Sequence, residues 1–243
     1  MTVLFQYKTI NKYFWRQLKN SEIFCKNPSK FNDPFDCSID WKRAILSVLE
    51  HDNIADDKRQ YLESIYKKLD MFDPNQNAGI SCFTNNCETQ LMWTHYADNH
   101  KGVCLGYDFQ MDDLYDTYPT SGDFFFMGAG PVIYDDNHFS SWLVADNLSM
   151  INSLTPAENA AIKLYTAKSS CWKYEEEYRI VMNKEGSIKI KRHYLKQLTF
   201  GLRVSENDRR EITRVVKEKY KDVIFSEVIK SPKYDTAIEI VDC

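Results

Sequence analysis

Apolar positions along this chain recur with two periods, one of two residues and one near 3.6, and the switches between them predict short strands interspersed with helices. Residues 3–7 alternate like a strand, and Asn11 then stands where its side chain can cap a helix whose apolar residues Phe14, Trp15 and Leu18 share a face. Residues 22–25 predict a second short strand. Over residues 41–69, Ile45, Val48, Leu49, Tyr61, Ile65 and Leu69 fall at helical spacing with a break near 51–57, which predicts two charged surface helices. Residues 79–84 read as a buried strand, 90–98 as a short helix and 102–109 as another strand. Thr155, Pro156 and Glu158 predict a capping box opening a helix that runs to about Ser170. A strand over 174–182 follows, then strands near 188–190 and 197–202, a helix over 205–220, and strands at 223–228 and 237–241.

Two stretches lack either period. In residues 28–40 the turn formers Asn32, Asp33 and Pro34 stand between Phe31 and Phe35, which predicts an irregular loop pinned by aromatic anchors. Residues 112–136, rich in Tyr, Phe, Asp and Gly, predict a mobile loop before a strand at 131–134. Helices and strands do not alternate one for one, as a doubly wound fold demands, and no internal repeat or Pro-, Gly- or Ser-rich linker divides the chain. The expectation is α+β: a single domain over 1–243, with a mixed, mostly antiparallel sheet of short strands flanked by helices.

Composition narrows the partners more than the fold. A formal charge of -4 supplies no whole-protein basic field, so nucleic acid is not the default partner. Nothing near Met1 resembles a signal peptide and no run of about 18 apolar residues could span a bilayer, so the expected location is cytoplasmic, away from membranes. The seven cysteines form an odd count without the tight spacing of a disulfide framework, which predicts reduced thiols.

Three polar-aromatic clusters carry the candidate chemistry. In the expected strand 174–182, Glu175, Glu177 and Arg179 share one side by strand period, with adjacent carboxylates about 6.6 Å apart. Facing a cleft, one carboxyl would be raised by repulsion and desolvation while Arg179 holds the other ionised; facing water, the three are a solvated surface. The cluster from Met92 to Gly102 packs Trp93, His95, Tyr96 and His100 into one helical segment and its exit, as a binding wall or as core aromatics with satisfied histidines. A zinc site from Cys82, Cys87, His95 and His100 conflicts with helix geometry, because residues five apart lie about 140° apart around the axis; no metal is expected. The loop from Phe31 to Asp36 could present Asn32, Asp33 or Asp36 to a ligand, or be a structural turn. No Gly-rich phosphate loop, GxSxG elbow or HExxH helix is present.

In this order the clusters resemble the bacterial family known as domain of unknown function 2971. The matching stretches are Phe5-Gln6-Tyr7-Lys8, Lys30 to Asp36, Cys82-Phe83-Thr84, Leu91 to Ala97, His100 to Cys104 and Trp172 to Arg179. More distantly, an early strand, a helix, a central Tyr and a late strand bearing Glu resemble ADP-ribosyltransferases. That resemblance implies NAD as substrate, with Glu177 stabilising an oxocarbenium-like transition state and Glu175 completing a Glu-x-Glu pair. It also implies Tyr96 as the aromatic stacking on nicotinamide and Tyr7 or Lys8 at the first-strand position that grips the cofactor, where the pattern more often has His or Arg. The implied partner is an unidentified macromolecular acceptor, or water, in a toxin or phage-defence setting. Two other readings compete: a non-catalytic module binding a small ligand or partner protein, and a metal-dependent hydrolase using Asp33, Asp36, His95 and the glutamates.

Overall fold

A computed structural model describes residues 3–51, 54–72, 78–119, 122–145 and 155–243. The first half holds β1 (Leu4–Lys8), α1 (Lys12–Asn20), β2 (Glu22–Cys25), α2 (Trp41–Leu49), α3 (Asp56–Phe72), β3 (Gly79–Thr84), α4 (Gln90–Tyr96), β4 (Val103–Tyr107) and α5 (Met111–Thr117). Then come β5 (Phe126–Pro131), β6 (Ile133–Tyr134), α6 (His138–Val144), α7 (Pro156–Tyr165), β7 (Ala167–Lys168), β8 (Glu177–Met182), β9 (Gly186–Lys189), β10 (Leu195–Phe200), α8 (Glu206–Lys219), β11 (Ile224–Lys230) and β12 (Ile238–Asp242).

Eight strands form one open sheet in the order β12-β11-β10-β4-β1-β3-β8-β5. Every neighbouring pair is antiparallel except β10 and β11, which α8 joins as a crossover, since parallel strands cannot be linked by a tight turn. The fold is therefore α+β with a mostly antiparallel sheet. Strand alternation feeds both faces: in β8, Ile180 and Met182 pack under α1 and α8, while Val181 packs under α2, α3, α6 and α7. Local signals place the helix starts. Asn11 accepts hydrogen bonds from the Tyr13 and Phe14 amides, and Thr155 with Glu158 closes a capping box over α7.

In the middle, the sheet parts. β1 and β3 share a single register pair, Phe5 opposite Thr84. Beyond it, Ile80 exchanges both backbone hydrogen bonds, each 2.8 Å, with Lys26 after β2 instead of with β1. The Gln6 amide crosses the gap, donating to Ser81 Oγ at 3.0 Å and to the Cys82 carbonyl at 3.2 Å. Gln17 on α1 holds that amide in turn, donating to Gln6 Oε1 at 2.9 Å. A polar side chain thus satisfies a carbonyl that the missing ladder leaves over.

The structure corrects several expectations. Residues 112–117 belong to α5 and not to a loop, and α6 stands where no helix was expected; residues 120 and 121 of the expected loop lie outside the described residues. The late strand begins at Glu177. Ser170–Glu175 is a 3-10 turn, and Glu176 at φ 46° sits in the left-handed region, which breaks the two-residue period before β8. α7 ends at Tyr165, short of Ser170, because β7 pairs with β6 and takes the next residues. All seven cysteines are free, and among the described residues no helix is long and apolar enough to cross a membrane.

Candidate functional site

The gap between β1 and β3 opens into a cleft of about 460 Å³. One wall carries Tyr96, Lys168, Glu175 and Glu177; the opposite end is bordered by Asn11, Tyr13 and Arg16 from α1 and by Phe24 from β2. That volume is typical of small-ligand sites.

At the first wall five charged side chains interlock, all almost fully buried: Asp36, Lys168, Glu175, Glu177 and Arg179. Arg179 donates to Glu177 Oε2 at 2.9 Å, to Asp36 Oδ2 at 2.8 Å and to the Tyr165 carbonyl at 2.8 Å. Lys168 bridges the two glutamates, donating to Glu175 Oε2 at 2.5 Å and to Glu177 Oε1, and lies 3.2 Å from Asp36 Oδ2. Three carboxylates against two cations leave the cluster with one uncompensated negative charge, and Glu175 is the carboxylate that Arg179 does not pair. Tyr96 donates to the remaining oxygen of Glu175, Oε1, at 2.6 Å, and the Asn32 side chain bonds the same hydroxyl. The Glu177 amide donates nothing to the sheet at this point; it bonds the Tyr134 hydroxyl at 2.7 Å, which fixes the start of β8.

Burial sets the protonation states. Desolvation and the neighbouring Glu177 carboxylate, which is hydrogen-bonded to it, push Glu175 up to about 7. Desolvation also opposes the charge on Glu177, but Arg179 and Lys168 outweigh it and hold that carboxyl well below its usual range. Lys168 is desolvated as well, yet Glu177, Asp36 and Glu175 together raise it. Tyr96 is raised by burial and by its bond to Glu175, so it stays a donor. The wall thus offers one carboxyl that gains and loses a proton near neutrality beside one that stays ionised, the division of labour that acid-base and cation-stabilising chemistry requires.

Of the residues singled out in the sequence, Tyr7, Lys8, Asn32, Tyr96, Glu175 and Glu177 border this one cleft. Tyr7 is mostly buried, its hydroxyl donating to the Asn86 carbonyl at 3.2 Å and its ring set edge-on against Trp93. Lys8 has no ion-pair partner among the described residues, and burial draws its ammonium down to about 8. Arg179 lies wholly buried behind the carboxylates. Trp93 is core, donating to the Cys87 carbonyl at 2.8 Å; His95 is exposed near the Tyr174 ring, outside the cleft lining. Asp33 caps its own turn, accepting from the Phe35 amide at 2.9 Å, while Asp36 three residues on joins the charged cluster.

Lys168 is the residue that sequence reasoning missed. It follows the amphipathic helix α7 as an ordinary solvent-facing cation would, and only the pairing of β7 with β6 turns it inward. Among the described residues no group of three or more His, Cys, Asp or Glu is arranged to hold a metal ion; Lys168 and Arg179 stand between the carboxylates.

No curated protein and no solved structure matches this chain. Residues 92–180, which run from α4 into β8 and contain Tyr96, Lys168, Glu175, Glu177 and Arg179, match the model of the family described as Protein of unknown function (DUF2971).

Proposed function

We propose that the cleft binds NAD and breaks the bond between nicotinamide and ribose, passing ADP-ribose to a macromolecular acceptor or to water. The observation that supports this reading is the pair of carboxyls on one cleft wall, Glu175 exchanging its proton near neutrality, with its ionised form available as a base, and Glu177 held ionised beside it. Departure of nicotinamide develops positive charge on the sugar, and a preorganised carboxylate in a cleft stabilises that charge; Glu177 takes this role. Glu175 then accepts the proton of the incoming hydroxyl, with Tyr96 and Lys168 fixing its orientation. The rings of Tyr7 and Tyr96 give the nicotinamide an aromatic wall.

Incubation of the purified protein with NAD, with and without cell lysate as a source of acceptors, tests the proposal by chromatography of released nicotinamide. Glu175→Gln, which keeps the shape and the Tyr96 contact, should lower the rate at least about 100-fold, the scale of a lost general base. Absence of nicotinamide under all conditions, or undiminished release by Glu175→Gln, overturns the proposal.

One observation favours a second reading, a non-catalytic module for a small ligand or partner protein: Lys168 and Arg179 already pair all three carboxylates of the cluster. Such a module turns over no NAD, and binding of its ligand tolerates Glu175→Gln.

A further inference from the structure

We infer that the cleft takes a two-part ligand threaded through the gap between β1 and β3, the end remote from the carboxylates being a purine base stacked on Tyr13 and Phe24. The inference rests on the reading of the carboxylate wall as the site of the nicotinamide ribose, and it names the residues that would hold the rest of the molecule.

The cleft does not stop at the sheet. Its lining passes from Tyr96, Glu175 and Glu177 on one face, through the parted edges of β1 and β3, to Tyr13, Arg16 and Phe24 on the other. At that far rim two large rings are left open, Tyr13 at 67% and Phe24 at 49% exposure. Neither is needed by the core: α1 buries Phe14 and Leu18 on its inner face, and in β2 Ile23 and Cys25 point inward while Phe24 points out. Aromatic side chains bordering a cleft give a flat base a stacking platform that costs no hydrogen-bond partner.

Between the two ends lies Lys8, in electrostatic reach both of Cys82, which neighbours Glu177, and of Cys25, the residue after Phe24. Its ammonium lacks a counter-ion among the described residues, whereas the cations Lys168, Arg179 and Arg16 each have a carboxylate. A phosphate linking the two halves of a dinucleotide would supply that missing charge and restore the Lys8 ammonium to its ordinary range from about 8. A ligand with a sugar at one end, phosphate in the middle and a base at the other matches the three environments in order.

Calorimetry with AMP and with ribose 5-phosphate isolates the base. The wild-type protein should bind AMP at least about ten-fold more tightly than ribose 5-phosphate. Tyr13→Ala, Phe24→Ala and the double variant should remove that preference stepwise while leaving the affinity for ribose 5-phosphate unchanged. Both positions are exposed, so the variants keep the fold, which circular dichroism verifies. Equal affinity for the two probes, no AMP binding, or an unchanged preference in the double variant overturns the inference. Nicotinamide release from NAD and from nicotinamide mononucleotide, measured on the same samples, separates the two ideas. Cleavage of NAD with a KM untouched by the double variant sinks the stacking platform and leaves the proposed reaction standing. A base preference that the variants abolish, in a protein releasing no nicotinamide, does the reverse.

Discussion

Replacing Arg179 by Met is the most direct perturbation of the charged cluster, because the methionine fills much of the space and removes only the guanidinium. In the native protein that group is fully buried and donates to Glu177, Asp36 and the Tyr165 carbonyl. Its loss leaves three carboxylates facing Lys168 alone, and removing one partner of a buried pair costs about 3–5 kcal/mol. With a urea slope of about 3 kcal/mol/M, the unfolding midpoint should fall by roughly 1 to 1.7 M at pH 8. The sign of the pH dependence follows from Glu177. Its depressed carboxyl contributes stability above its ordinary value of 4.5 that is lost as pH falls. Without Arg179 the same carboxyl can relieve its burial by taking up a proton, so the penalty relative to wild type should shrink between pH 8 and pH 5. Arg179→Lys, which keeps the charge and loses the planar fork, should fall between the two. Urea titrations followed by tryptophan fluorescence at both pH values measure this. A midpoint shift under about 0.3 M, or the same shift at both pH values, refutes the idea that Arg179 is what keeps Glu177 ionised.

Glu175 should give the opposite slope. Its carboxyl is raised from 4.5 to about 7, so its contribution to stability is complete below 4.5 and lost as pH climbs through 7; Glu175→Gln should flatten the fall in Tm over that window in calorimetric scans. Tyr96→Phe removes a hydrogen bond donated to the ionised form of Glu175, so the carbon-13 NMR titration of that carboxyl should move up from about 7. Gly102→Ala would put a methyl group 2.1 Å from the Lys8 carbonyl and 2.9 Å from that of Ala97, both backbone atoms that cannot swing aside. It should destabilise the protein by about 2 kcal/mol or more in urea unfolding, and weaken AMP binding by displacing β1.

What the sequence disclosed about the fold follows from where each cause lies. Residues 79–84 form β3 with the expected ends, and Asn11 and Thr155 cap helices as anticipated, because the cause of each is written within a few neighbouring residues. α5 and α6 went unread for the opposite reason. α5 buries Leu114 alone and α6 owes its place to Phe139, Trp142 and Leu143 packing against α2, a contact that no local period announces.

The charged wall divides in the same way. Glu177 and Arg179 share a face by strand period, and they do so in β8. Glu175 reaches them by another route: it leaves a 3-10 turn, and the left-handed Glu176 swings the chain so that two carboxyls expected about 6.6 Å apart along a strand instead share the Lys168 ammonium. The split in their protonation depends on that closer approach, since a strand would have kept Glu175 nearer to an ordinary carboxylate. The cleft itself rests on a comparable exchange. A buried glutamine would be a costly choice in a continuous sheet, yet Gln6 satisfies the Cys82 carbonyl and is satisfied by Gln17, so β1 and β3 can stand apart without leaving buried polar groups unpaired. Gln6 sits in β1 beside Tyr7 and Lys8, and its side chain explains why that strand borders a cavity on its β3 side: the sequence specifies the gap by supplying the hydrogen bonds that pairing would otherwise have made.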